Sequence, residues 1–498
     1  MSTDLGFLNE IKAGLKAFDS LCCEEIGYDI SIEYPLDNKI REELDKISLR
    51  DDDQDFEIFR FFDQLISLWQ TLIEKSVKAL RYYDDREPFK ANPGKKPVAY
   101  GVDDLRTYFD KYVKFEKTLY GSSRYYRDHV VHVFRVWILG ITQLFANDNA
   151  LLKEISIDED CKVNPIEKIS IWTLIALTHD LGYPLEKSLE VVERTKDMMK
   201  SFVVNPIISM DLCFNGVQNS MNDFVLRFMS SKMKKKEGNS IDGYDFVARL
   251  QPKYYFKFQK SLEHNKHGIL SALVLYKMLR YFLESDYSTN EDYFFKKEDV
   301  RQFYIRRDIL RAISSHTCHD IYQLTAKNFS FLLILCDDAQ EWGRKSISEL
   351  YINKTIEYEY DGLNIDLSQE IINVSFCEKF KNIDKEEDVE TVLSRFIDIS
   401  LDYNEIFRDG LDTSNRNFCF QKKTEIDFGK SNGKVTITLS LNITKEESSK
   451  IKVVLSATNQ NCSNYRKVVG MVSKLFKPQV EPVGGSFVFE LSELKKLS

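Results

Sequence analysis

The chain has 498 residues, 43% of them hydrophobic and 13% aromatic, with 25 Tyr and 34 Phe. Such a length predicts roughly two to four units, and so apolar a composition excludes disorder for most of the chain. A formal net charge of −9 argues against an extended nucleic-acid surface, which needs clustered cations, and leaves room only for local basic patches.

The N-terminus, MSTDLGFLNEIKAGLKAF, carries acids early and predicts an amphipathic helix, whereas a signal peptide needs a basic start and an unbroken apolar run. Nine Cys without C-x-x-C spacing, including the adjacent Cys22 and Cys23, indicate neither a zinc ribbon nor a disulfide framework, so a reducing cytoplasm is expected. Residues 56–80 place Phe59, Phe62, Leu65, Ile66 and Trp69 at helical spacing. The Pro, Gly and Lys of 84–101 then predict a linker, so 1–100 reads as an N-terminal helical region.

Residues 101–349 predict a helical domain whose buried helices contain FRVWILGITQLF, KISIWTLIALTHDL, ILSALVLYKMLRYFL and FSFLLILCDDAQEW. The apolar runs 136–146 and 329–336 fall short of the ~20 residues of a membrane helix, so no span is expected. Within this domain 187–260 reads as a polar insertion, and its run KMKKK (232–236) as a solvated loop. After 350 the hydrophobic period becomes alternating. Residues 355–376 predict strands around a turn at Asp361-Gly362, 388–407 and 463–476 predict helices, and 434–444, 450–457 and 486–491 predict further strands. The expected architecture is mainly α, with N-terminal helices, a helical core and a C-terminal α+β domain over 350–498.

All seven histidines fall between 129 and 319, and six form i, i+3 pairs: His129/His132, His264/His267 and His316/His319. Residues three apart share a helix face, so a bundle can aim several of them into one cavity. His179-Asp180, closing the apolar helix IWTLIALTHDLGYP, offers one nitrogen and one oxygen ligand, a set suited to a divalent metal. It also reads as a polar helix end before the stop Gly182-Tyr183-Pro184. Asp337 and Asp338 end another apolar helix, where a buried carboxylate is costly without a cation.

The order His, His-Asp, distant Asp resembles the HD superfamily of metal-dependent phosphohydrolases. HVFRV (132–136) is similar to that family's H-x-x-R-V helix, LTHDLG (177–182) to its HD turn, and LLILCDD (332–338) to its last aspartate helix. The resemblance covers roughly 120–345 and implies an HD-type helical bundle with His132, His179, Asp180 and Asp337 as metal ligands. EHNKHGILSALVL (263–275) and LRAISSHTCHD (310–320) resemble segments of the bimetallic branches. These imply His267 and His316 as ligands to a second ion, with His264 and His319 as further ligands, substrate contacts or proton donors. Two departures stand out. Tyr183 occupies the place of a lysine found in many cyclic-dinucleotide enzymes, and Gly182-Tyr183-Pro184 is not their Gly-Tyr-Pro signature.

The implied chemistry is attack by metal-activated water on a phosphoester or phosphoanhydride, with one or two ions of Mn, Mg, Fe, Co or Zn and Asp180 as bridging and catalytic carboxylate. Arg344, Glu341 and Lys187 are candidate substrate contacts at the rim. The expected partner is a small phosphorylated molecule such as a nucleotide; homo-oligomerisation stays open. The rival readings are a degenerate nucleotide-sensing module signalling through 350–498, and a structural helical scaffold.

Overall fold

The computed structural model describes residues 4–27, 32–46, 55–84, 96–122, 128–158, 161–202, 216–237, 244–284, 293–318 and 327–340. Beyond these it describes 357–366, 371–381, 417–427, 434–443, 450–457, 466–468 and 486–490, with a few isolated positions. The chain is mainly helical with a small C-terminal sheet.

In chain order the helices are α1 (Asp4–Ile26), α2 (Asn38–Lys46), α3 (Asp55–Tyr82), α4 (Val102–Ser122), α5 (Val130–Glu154), α6 (Pro165–Thr178), α7 (Tyr183–Lys200), α8 (Gly216–Met229), α9 (Pro252–Glu263), α10 (His267–Met278), α11 (Lys297–Ser315) and α12 (Phe329–Ala339). The centre of the bundle is α5 against α6. Both are apolar nearly all round and buried on every side, as a helix without a polar face must be. Their packing is locked by indoles: Trp137 Nε1 donates to Thr173 Oγ1 (2.9 Å) and Trp172 Nε1 to the Trp137 carbonyl (3.1 Å). Gly140 lets the Trp172 ring lie on the α5 backbone, where a Cβ would come within 1.9 Å of it.

By length and composition α5 could cross a membrane, but 89% of its apolar window is buried inside the protein. Its regular helix also breaks at Ala146, followed by Asn147, Asp148 and Asn149 at positive φ. Asn and Asp are the side chains that best tolerate that left-handed region. Around α5 and α6, α1 packs on α5 and α3 on α6, so one apolar core runs from Phe7, Phe18 and Trp69 into the histidine-bearing helices.

The segment 187–260 is more ordered than a polar insertion. It contains most of α7, then α8, the hairpin β1 (Ser231–Glu237) and β2 (Tyr244–Leu250), and α9. Val225, Leu226, Phe228 and Met229 of α8 join the core. KMKKK is a strand, not a loop: β1 pairs antiparallel with β2, and Met233 and Ala248 anchor the hairpin in the core. Lysine stems tolerate an edge strand because their ammonium groups reach water.

Beyond 350, β3 (Glu357–Asp366), β4 (Ile371–Lys381), β5 (Asn417–Asp427), β6 (Lys434–Ile443), β7 (Lys450–Ala457) and β8 (Ser486–Glu490) form one sheet in sequence order, with β4 and β5 parallel and all other neighbours antiparallel. Asp361-Gly362 is a register shift inside β3, not the expected turn. Glycine serves such a bulge as readily as it serves a turn. The expected strands at 434–444, 450–457 and 486–491 are β6, β7 and β8, and in β6 Val435 and Ile437 are buried while Thr436 and Thr438 are half-buried. The expected helices 388–407 and 463–476 lie almost wholly outside the described residues. Phe331 of α12 meets Phe418 of β5 edge-on, ring centroids 6.0 Å apart.

Candidate metal centre

Five helix ends deliver six side chains to one place. His132 sits on the first turn of α5, His179 caps the C-terminus of α6 with Asp180 beside it, His267 opens α10, His316 caps α11, and Asp337 lies on the last turn of α12. The His179-Asp180 turn is held by bonds to a carbonyl on either side of it, Leu177 in the last turn of α6, which the helix end leaves without a helical partner, and Leu181 just beyond. Trp69 Nε1 donates to the Leu177 carbonyl and Tyr108 Oη to the Leu181 carbonyl, both at 2.8 Å. His179 Nδ1 lies 2.8 Å from the Ala176 carbonyl, which makes Nδ1 the protonated nitrogen and aims Nε2 at the centre. His316 repeats the device: its Nδ1 lies 2.6 Å from the Ile313 carbonyl.

Among the described residues two His/Asp groups could hold a metal ion, His132, His179 and Asp337, and His179, Asp180 and His316, each with ligand atoms within 4.8 Å of one another. Asp180 stands between them. Its Oδ2 is 3.5 Å from His179 Nε2 and 3.8 Å from His132 Nε2, while its Oδ1 is 3.4 Å from His267 Nε2 and 3.7 Å from His316 Nε2. Asp337 Oδ1 is 2.8 Å from His132 Nε2 and 3.5 Å from His179 Nε2. Ligands about 2.0–2.2 Å from a shared ion sit roughly 3–3.5 Å from each other, so these separations suit an ion among them. The Nε2 atoms of His179 and His316 are buried and have no hydrogen-bond partner. A buried polar atom without a partner is costly, and a cation would satisfy both.

No family model, curated protein or solved structure matches the chain. The site therefore stands on its own geometry and electrostatics.

Burial lowers the His179 pKa, but the carboxylates of Asp180 and Asp337 outweigh it and push His179 up to about 9. Burial works to raise both aspartates, yet His179 beside Asp180, and His132 and His179 against Asp337, hold them well below the usual carboxylate range. His316 is held down by burial and by the neighbouring imidazoles of His267 and His179, against the pull of Asp180. Two ionised carboxylates thus face a cluster of imidazoles, and a proton on His179 supplies the positive charge that a metal would replace.

Three supporting side chains were not legible as such from the sequence. Glu186 of α7 receives the His267 backbone N–H and approaches His267 Nδ1, each at 2.7 Å. Burial raises the Glu186 pKa but His267 outweighs it, leaving the group lowered and ionised. Gln340 accepts from His132 Nδ1 at 2.6 Å. Glu116 accepts the His129 backbone N–H (2.6 Å) and lies 3.4 Å from His129 Nδ1, while the His129 ring stacks on Tyr183 with centroids 3.7 Å apart. An acid in a helix's first turn, as Glu186 is, reads in sequence as a dipole partner. Its histidine is 81 positions away.

The remaining candidates divide. His264 is exposed at the C-cap of α9 and belongs to neither group. Lys187 pairs with Glu190 (3.0 Å) and lies 5.5 Å from the Tyr183 ring centroid, beside the centre. His319, Glu341 and Arg344 fall outside the described residues.

Proposed function

We propose that the protein is a metal-dependent phosphohydrolase of the HD type, that its centre takes two divalent ions, and that its substrate is a small phosphorylated molecule such as a nucleotide. The observation that carries the two-ion reading is the orientation of Asp180: one oxygen faces His132 and His179, the other His267 and His316. A carboxylate so shared bridges two sites. His267 and His316 would have no role around a single ion held by His132, His179, Asp180 and Asp337.

When bound, divalent ions supply an acidified water and positive charge against phosphate oxygens. The chain's own residues prepare the place for both. Asp180 stays ionised at any ordinary pH, Glu186 and Gln340 set the ring planes of His267 and His132, and the apolar walls of α5, α6 and α12 keep bulk water away. Of the histidines outside the two groups, His129 is placed to hold a proton for the leaving oxygen. Its ring centroid is 6.1 Å from that of His132, and Glu116 orients it. Exposed His264 lacks such an orienting partner among the contacts of the centre.

The test is metal content together with turnover. Wild-type protein loaded with Mn, Mg, Fe, Co or Zn is expected to hold close to two ions per chain, and a His267→Ala, His316→Ala double variant close to one. One ion in both would remove the two-ion reading. Nucleoside triphosphates, cyclic mono- and dinucleotides and nucleotide alarmones form the substrate panel. Tight nucleotide binding without hydrolysis by any loaded form would leave the sensing-module reading in place of the enzyme.

A further inference from the structure

The KMKKK strand forms one row of a larger surface. Beside β2, Phe295 makes an antiparallel bridge with Phe246, its N–H donating to the Phe246 carbonyl at 2.8 Å, so residues 293–296 extend the hairpin as a third, short edge. Opposed residues of an antiparallel pair project from the same face, and successive residues from opposite faces. The register therefore assigns every side chain. Met233, Ala248, Phe246 and Phe295 share the inner face, and all four belong to or pack against the core. Lys232, Lys234 and Lys236 share the outer face with Arg249, Asp245, Phe294, Lys296 and Val247, the last of them buried between the Lys234 row and Phe294.

That outer face is basic and carries one exposed aromatic ring. Lys232, Lys234, Lys236, Arg249 and Lys296 are exposed, and Asp245, opposite Lys236, is the one acid of the three rows on this face, Glu237 of β1 projecting from the other. Phe294 is 54% exposed and stands in line with Lys234 across Val247. The three lysines repeat every second residue, about 6.8 Å apart along the strand. Like charges at that spacing repel, and among the described residues the chain sets only Asp245 against them on this face.

We propose that this face binds single-stranded nucleic acid, with the phosphate backbone running along the β1 lysines and an unpaired base stacking on Phe294. The chemistry selects this partner in two steps. A row of cations at regular spacing fits a polyanion of repeating phosphates, and an exposed ring beside it fits a base whose face is free, as in a single strand but not within a duplex. An anionic membrane fits less well, because surface helices and patches that bind lipid expose several apolar side chains and this face exposes Phe294 alone, Val247 being buried. The variants below change none of the side chains of the metal centre, so the proposal is tested separately from the phosphohydrolase reading.

The experiment is fluorescence anisotropy of a labelled oligothymidylate of about 20 nucleotides against the full chain over a series of salt concentrations, alongside a Lys232→Glu, Lys234→Glu, Arg249→Glu variant and a Phe294→Ala variant. The charge-reversed variant is expected to bind at least tenfold more weakly, with a log–log salt slope shallower by about 2, since three phosphate contacts at ~0.7 each are lost. Phe294→Ala is expected to weaken binding on the order of tenfold. Metal content and helical circular dichroism, unchanged in both variants, report an intact fold. Equal affinity of wild type and the charge-reversed variant overturns the proposal. So does binding of inorganic polyphosphate or phosphatidylserine vesicles at least as tight as the oligonucleotide, with no effect of Phe294→Ala on either.

Discussion

His179 concentrates the electrostatics of the centre because the same atom, Nε2, either carries a proton between Asp180 and Asp337 or faces a cation. Below pH 9 the proton occupies it, since the two carboxylates push His179 up to about 9. The sign follows directly. A raised histidine stabilises the metal-free fold fully below its unfolded pKa near 6.5 and loses that contribution as pH rises through about 9. Metal-free protein is therefore expected to lose thermal stability between about pH 6.5 and 9, read as a falling Tm. Metal binding displaces the same proton, so Mn affinity is expected to tighten by up to about tenfold per pH unit between 7 and 9. An affinity independent of pH over that range would show that His179 does not bind as the neutral imidazole. Glu186 makes a second residue-level expectation. Glu186→Gln retains the shape but removes the charge facing His267 Nδ1, and outer carboxylates of this kind are worth about 10–100-fold in metal affinity. If the centre takes two ions as proposed, the one near His267 is expected to weaken by that factor while the one beside His132 and Asp337 stays. Equal weakening of both ions would mean that Glu186 acts on the whole site.

At the scale of elements, the centre depends on two close crossings where only glycine fits. A Cβ on Gly182 would lie 2.4 Å from the His267 carbonyl and 2.7 Å from the Ser271 nitrogen, and the Gly182 N–H donates to Ser271 Oγ at 2.7 Å. A Cβ on Gly268 would lie 2.5 Å from Thr317 Oγ1 and 2.8 Å from the Ile313 carbonyl. The first contact sets α10 against the His179-Asp180 turn, the second sets α10 against the end of α11, and together they bring His267 and His316 to Asp180. Gly182→Ala and Gly268→Ala are each expected to cost about 1–3 kcal/mol of stability and, on the proposed two-ion reading, to lose the ion near His267 and His316 before the other. Metal titration of variants that still melt cooperatively checks this, and two ions bound at wild-type affinity would refute it. These crossings also explain what the sequence could show. The helices bearing His132, His179, His267 and Asp337 announce themselves by apolar runs, and i, i+3 histidines by spacing. α11 is harder to read, because Arg306, Arg307 and Arg311 look like a surface, yet Arg306 and Arg307 are buried and Arg311 half-buried, donating to the Tyr281, Ser231 and Met229 carbonyls. The Asp361-Gly362 bulge and the β1 strand were misread for a related reason: glycine and lysine signal exposure or a bend, and pairing partners far along the chain decide which.

For the whole molecule, the link that matters most joins the N-terminus to the centre. Arg135, in the HVFRV segment and three residues after His132, is buried against Asp4 of α1, with Nη2 2.7 Å from Oδ2 and Nε 3.0 Å from Oδ1. Asp4 is buried as well. An ion pair taken out of water contributes little net stability when whole, but removing one partner leaves an uncompensated charge and costs about 3–5 kcal/mol. Asp4→Ala is therefore expected to lower Tm by several degrees, and Asp4→Ala with Arg135→Met to recover much of that loss, because the double variant buries no orphan charge. Since the α1 and α5 surfaces also share Phe7, Leu8, Phe18 and Phe145 in one core, deleting residues 1–27 should do more than either substitution. It strips α5 of its cover one turn from His132, so the truncated chain is expected to bind metal more weakly even where it remains soluble. A truncated chain with wild-type Tm and wild-type metal content would show instead that α1 is a separable attachment and that the Arg135–Asp4 pair is dispensable to the centre.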